Sequence, residues 1–129
     1  RKKTTGSIFN ASLSPFDEAM NALKFLQDSD LSDPVQVKEY HSSLAVVFKR
    51  YFSRKLGENM MNRTTGEILV KSKGFDDARI VSALAESLRL TDAVKFAKYI
   101  PGEQASGESL LQVKEAIESI EKIHSPIKQ

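Results

Sequence analysis

The residues with side chains suited to acid–base or metal chemistry are few and scattered. His41 and His124 are the only histidines, and neither has a histidine or carboxylate at the four-residue spacing of a helical metal site. Asp76 and Asp77 are adjacent at a predicted helix start, where carboxylates typically cap the helix and oppose its dipole. The chain has no cysteine, which excludes disulfides, thiolate zinc sites and a cysteine nucleophile.

Motifs that bind phosphate or activate a serine are also missing from the sequence. No pair of glycines has the spacing of a P-loop or a dinucleotide-binding loop, and no Gly-x-Ser-x-Gly segment occurs. We therefore predict no catalytic, cofactor-binding or metal-ligating residues, and a protein that is not an enzyme.

The most suggestive surface feature is a group of cations interleaved with Tyr51 and Phe52. Such a group could contact phosphates, either of lipid headgroups or of nucleic acid. The alternative is that the two aromatic residues lie in the core and the cations only solvate the outer face. The candidate partner-binding residues, called the basic cluster below, are Lys49, Arg50, Arg54 and Lys55.

Residues 64–89 have the outline of a helix-turn-helix, which makes nucleic-acid binding an alternative function. The second helix, however, starts with Asp76 and Asp77 and carries only Arg79 nearby, so its start would repel phosphates. The chain of 129 residues has 19 Lys and Arg against 17 Asp and Glu, a net charge of +2 that is small for a nucleic-acid binder.

Apolar residues recur at helical spacing through most of the chain, and no segment alternates long enough to predict a sheet. Ser14-Pro15, Asp33-Pro34 and Thr64 with Glu67 are typical helix starts, and Gly57 is a typical helix stop. The sequence therefore predicts an all-α fold, a single compact bundle of five or six helices. The sixth helix arises if Thr91-Asp92 caps a new one.

Three regions follow from this pattern. Residues 1–13 are predicted to be a flexible lead-in, and residues 14–101 a helical core domain. Residues 102–129 are predicted to hold a linker, Gly102–Gly107, and a C-terminal helix that begins at Ser106 and packs on the core. The alternative is that the narrow apolar seam of this helix pairs with a helix of a partner, which the flexible linker would allow.

The chain opens with three cations, Arg1, Lys2 and Lys3. Cytoplasmic flanks of transmembrane helices collect Lys and Arg, so these residues are candidate membrane-proximal residues. They predict that the domain follows a membrane helix in a longer protein.

Several segments between residues 15 and 101 resemble a family. The segments that carry the resemblance are Tyr40, Leu44, Phe48, Arg50, Tyr51, residues 64–68, Leu88, Asp92, residues 94–99 and Pro101. Through them the chain is similar to the cytoplasmic C-terminal helical domain of uncharacterised membrane-anchored proteins of the Bacteroidota, which are similar to components of Bat-type aerotolerance gene clusters. Those clusters also encode an AAA ATPase and von Willebrand A-type membrane proteins.

The resemblance implies a helical domain at the cytoplasmic face of the inner membrane, after a transmembrane helix. It implies no catalytic residues and no cofactor. Together with the absence of catalytic motifs, it predicts a non-enzymatic interaction domain whose partner is another protein.

Overall fold

Residues 8–75 and 77–124 are described by the computed structural model, except for the side chain of His124. Within these ranges the chain forms five helices and no strand, which confirms the prediction of an all-α bundle. The helices are α1 (Pro15–Gln27), α2 (Pro34–Leu56), α3 (Thr65–Ser72), α4 (Ala78–Phe96) and α5 (Glu103–His124).

The predicted capping residues begin the first three helices and end α2. The side chains of Ser14 and Asp33 accept hydrogen bonds from backbone N–H groups in the first turns of α1 and α2. Thr64 and Glu67 form the reciprocal capping box of α3, with donor–acceptor distances of 3.1 and 2.9 Å. Gly57 ends α2 with a φ of +67°, which is easily reached by glycine alone.

The spine of the bundle is α2, which has 23 residues and is therefore about 34 Å long. It packs against α1, α4 and α5, while α3 packs on α4. Because α2 is surrounded on several sides, its largest aromatic residues are almost completely buried. They are Tyr40, Phe48, Tyr51 and Phe52.

Helix α4 is continuous through Thr91 and Asp92, so the prediction of a new cap at these residues is wrong. Their side chains make tertiary contacts instead of capping. The Thr91 hydroxyl donates to the carbonyl of His41 at 3.1 Å, and Asp92 accepts a hydrogen bond from the Thr65 hydroxyl at 2.8 Å. Both contacts join α4 to other helices, which a local pattern cannot indicate.

The ends of α4 and α5 also differ from the prediction. Asp77 caps α4, since its carboxylate accepts from the Ile80 N–H at 2.9 Å; Asp76 lies outside the described residues. The predicted linker Gly102–Gly107 is mostly helical, because α5 begins at Glu103. Ser106 does not open α5 but is buried in its first turns.

The described part of the predicted lead-in contacts the bundle. Ile8 and Phe9 are partly buried against the core. Arg1, Lys2 and Lys3 lie outside the described residues, so their membrane-proximal role stays a prediction. Within the described ranges, none of the helices combines the length and the apolar character needed to cross a bilayer.

Candidate functional site

Two arginines of the basic cluster form an ion-pair network with a buried carboxylate of α1. Arg50 binds Glu18 through two hydrogen bonds, from Nε to Oε1 at 2.7 Å and from Nη2 to Oε2 at 2.8 Å. Arg54 Nη1 lies 3.2 Å from Oε1 of the same carboxylate, an ion-pair distance without hydrogen-bond geometry. Glu18 is only 2% exposed, so the network joins α1 to α2 inside the molecule.

The same arginines hold the segment before α1. Arg54 Nη2 donates to the carbonyl of Leu13 at 2.8 Å, and the Arg50 guanidinium lies 4.9 Å from the centre of the Phe9 ring. Burial alone would raise the pKa of Glu18, but the hydrogen bonds from Arg50 and the positive charges of Arg50 and Arg54 outweigh it and lower the pKa. The Glu18 carboxylate therefore stays ionised at neutral pH.

The other two cations of the basic cluster have different surroundings. Lys55 Nζ lies 3.2 Å from Glu121 on α5, and the same carboxylate accepts a hydrogen bond from the Tyr51 hydroxyl at 2.7 Å. Lys49 is half-buried and interacts electrostatically with Lys95 and Asp92 of α4. Three of the four predicted partner-binding cations thus pair with a carboxylate within the chain, and the fourth, Lys49, lies near both Lys95 and Asp92.

A buried polar cluster joins α2, α4 and α5, and it includes His41. The His41 Nε2 and the Ser106 hydroxyl are 2.9 Å apart, and the Tyr40 hydroxyl donates to the Ser106 carbonyl at 3.0 Å. Desolvation lowers the pKa of His41 to about 4, so the imidazole is neutral at pH 7. His41 is completely buried, and its ring joins α2 to α5 through the Ser106 hydroxyl.

An open apolar groove of about 680 Å³ runs between α3 and α4. The lining residues of α3 recur every three or four positions and therefore share one face of that helix, and the lining residues of α4 do the same. Val70 is 69% exposed there, although it is a large apolar side chain. The lining residues are Gly66, Leu69, Val70, Lys73, Ala78, Val81, Ser82, Ala85 and Arg89.

The charged side chains that line this groove are basic. They are Lys73 and Arg89, and neither forms an ion pair within residues 8–75 and 77–124. No imidazole or carboxylate lines the groove in the described part of the chain. Nor do three potential metal ligands come together anywhere in that part.

A second unpartnered surface follows the groove along α4. All six residues from Lys95 to Ile100 are exposed. Phe96, Tyr99 and Ile100 are large apolar side chains that are 77%, 52% and 48% exposed. Lys95 Nζ lies 5.5 Å from the centre of the Phe96 ring. We call residues 95–100 the aromatic–lysine segment.

This segment contains the only described non-glycine residue with a positive φ, Lys98 at +58°. A residue with a β-carbon pays for this conformation, whereas the glycine that caps the end of α2, Gly57, adopts a φ of +67° without that cost. We expect Lys98→Gly to raise the free energy of unfolding by about 0.5 to 1 kcal/mol. Thermal and urea denaturation of the two proteins test this; an unchanged or lower stability would contradict the assignment of strain.

Neither the groove nor the buried Glu18 was predicted from the sequence. Glu18 followed Ser14-Pro15 and therefore fitted a partner of the helix dipole. A signal was present: Arg50 and Arg54 are four residues apart and so share one face of α2. For the groove, the signal was the small residues Ala78, Ser82 and Ala85, which also share one helix face.

Comparison of the chain with family models, with curated proteins and with solved structures gave no match.

Proposed function

We propose that this chain is a non-enzymatic interaction domain of a membrane-anchored bacterial protein, and that the groove between α3 and α4 is its main protein-binding surface. The observation that carries the proposal is an exposed apolar groove that the described residues of the chain leave uncovered, with Val70 69% exposed. Exposed apolar surfaces of this kind mark interaction sites in soluble domains.

The occupant that fits this groove is an acidic amphipathic helix of the partner. The small and apolar side chains that α3 and α4 place along the groove can accept the apolar face of a helix. Lys73 lies at the end near the turn and Arg89 near the opposite end. From Ala78 to Arg89 the groove face of α4 extends about 16 Å. The partner helix would therefore carry carboxylates two to three turns apart, with apolar residues between them.

The membrane anchor and the cytoplasmic location belong to this proposal. They are supported by the cations Arg1, Lys2 and Lys3 and by the resemblance to domains of membrane-anchored Bacteroidota proteins. The basic cluster supports the proposal less than the groove does, because Arg50, Arg54 and Lys55 are engaged in ion pairs within the chain.

The alternative, nucleic-acid binding through α3 and α4, has less support. The start of α4 would face a DNA groove, and it presents the Asp77 carboxylate that caps the helix. Binding to DNA would weaken steeply as salt is added. A mobility-shift assay at low salt that detects such binding would favour this alternative.

Photo-cross-linking in the native membrane tests the protein-binding surface. We expect the full-length protein with benzoyl-phenylalanine in place of Val70 to give at least about tenfold more adduct than the same replacement at Val35. Both valines are exposed, so they differ only in the surface they occupy. Mass spectrometry of the adduct then identifies the partner segment, which we expect to be an acidic amphipathic helix.

Two results would contradict the proposal. One is equal adduct yield from positions 70 and 35, which means that no partner covers the groove. The other is an adduct at position 70 with a segment that is basic or not helical. Circular dichroism of the two substituted proteins serves as the control for folding.

A further inference from the structure

The aromatic–lysine segment has a composition and an exposure that packing within the chain does not explain. Residues 93–102 contain two lysines and no acidic residue, and Asp92 and Glu103 flank them. Phe96, Tyr99 and Ile100 leave apolar surface open to water at the end of α4. Lys49 adds a third cation, because it interacts electrostatically with Lys95 across from α2.

The backbone of this segment is an independent observation. The Tyr99 N–H donates to the Ala93 carbonyl at 3.3 Å, so the chain folds back over the end of α4. This reversal places Lys98 at a φ of +58°, where glycine would be less strained. Strain of this kind is typically kept where the side chain has a role outside folding.

We propose that the aromatic–lysine segment is a membrane-contact surface, on which Phe96, Tyr99 and Ile100 enter the interface of an anionic bilayer while Lys49, Lys95 and Lys98 contact lipid phosphates. Aromatic rings prefer the headgroup level of a bilayer, and lysines beside them bind anionic lipid. Lys95 already lies over the Phe96 ring, which lets its ammonium group reach phosphates while the ring enters the apolar layer.

The membrane is a better match for this segment than an acidic helix of a partner. The apolar side chains are exposed where α4 ends, and none of them lines the groove between α3 and α4, which is the kind of surface that a partner helix needs. Contact with lipid at this end would fix how the domain is oriented under its anchor. The inference rests on the proposed membrane location, but its test does not involve the groove.

Vesicle co-sedimentation tests the inference. We expect the 129-residue chain to bind vesicles that contain phosphatidylglycerol at least about tenfold more tightly than vesicles of phosphatidylcholine alone, and to lose this binding in high salt. The double variant Phe96→Ser, Tyr99→Ser should lose at least about tenfold in binding. A matched control, Val35→Ser with Leu111→Ser, removes two exposed apolar residues elsewhere and should bind as the wild type does.

Two further variants separate the segment from other sources of binding. Lys98→Gly should bind vesicles less tightly while its melting temperature rises, and Lys98→Arg should retain binding. Replacement of Arg1, Lys2 and Lys3 by serine should leave a clear preference for anionic vesicles. The groove variant Lys73→Glu, Arg89→Glu should also bind vesicles, because it leaves the aromatic–lysine segment unchanged. A failure of the groove to bind a partner can therefore be told apart from a failure of this segment to bind lipid.

Three results would overturn the inference. The first is no preference of the wild-type chain for anionic vesicles. The second is equal loss of binding in the matched control. The third is a self-association in sedimentation equilibrium that Phe96→Ser and Tyr99→Ser abolish, which would assign the surface to a second copy of the chain.

Discussion

Acidification from pH 7 to pH 5 should lower the free energy of unfolding by about 2 kcal/mol through His41 alone. In the folded chain burial lowers the pKa of His41 to about 4, whereas the ordinary value is 6.5. Between pH 6.5 and about pH 4, the imidazole of His41 is therefore mostly protonated in the unfolded chain and mostly neutral in the folded chain. Stability is lost as the pH falls through this window, and the full contribution of His41 is about 3 kcal/mol at pH 4 and below.

Urea denaturation at pH 7 and pH 5, on the wild type and on His41→Leu, measures this contribution. Leucine has no ionisable group, so this variant should lose the part of the pH dependence that His41 supplies. The substitution also removes the hydrogen bond between His41 Nε2 and the Ser106 hydroxyl, which lowers stability at both pH values. We therefore compare, for each protein, the change in the free energy of unfolding from pH 7 to pH 5. An equal pH dependence in both proteins would show that His41 is not held neutral by burial.

Replacement of Glu18 by alanine should lower the free energy of unfolding by about 2 to 3 kcal/mol at pH 7. The substitution leaves Arg50 and Arg54 without their carboxylate, and a broken buried pair is costly. This loss is smaller than for a fully buried ion pair, because the side chains of Arg50 and Arg54 are 33% and 27% exposed and water can solvate their charges once Glu18 is removed. The exposed Glu115 is the matched control, and Glu115→Ala should change stability by less than about 0.5 kcal/mol.

The ion-pair network of Glu18 should also make the free energy of unfolding fall as the pH is lowered into the acid range. The folded pKa of Glu18 is lowered below the ordinary value of 4.5 by its two arginines. The carboxylate therefore stabilises the fold above pH 4.5, and this stabilisation is lost as the pH falls through the lowered folded pKa. Glu18→Gln should remove this acid-dependent part while keeping the shape of the side chain. A Glu18→Gln protein with the acid sensitivity of the wild type would contradict the network.

The features predicted correctly from the sequence are those set by neighbouring residues. Ser14, Asp33 and Gly57 begin or end helices because their side chain or backbone acts on groups within a few residues. Thr91 and Asp92 carry the same kind of signal but form bonds to other helices, so the signal was misleading there. Whether such a side chain caps a helix or binds another helix depends on which hydrogen-bonding group the fold places beside it.

The candidate surfaces were harder to predict for the same reason. Phe96 and Ile100 continue the apolar pattern of α4, but the helix ends at Phe96 and the chain turns at Lys98 before these side chains reach the core. Arg50 and Arg54 resemble solvated cations until α1 brings Glu18 against them. The groove exists only when α3 packs on α4, so no single segment indicates it.

The central claim is that the groove between α3 and α4 binds an acidic helix of a partner. The most direct measurement is the yield of cross-linked adduct from position 70 when Lys73 and Arg89 are both changed to glutamate, compared with Arg79→Glu as a control outside the lining. Reversal of both groove charges should reduce the yield at least about tenfold, while Arg79→Glu should leave it unchanged. Undiminished adduct from the Lys73→Glu, Arg89→Glu protein, with its fold intact by circular dichroism, would contradict the claim.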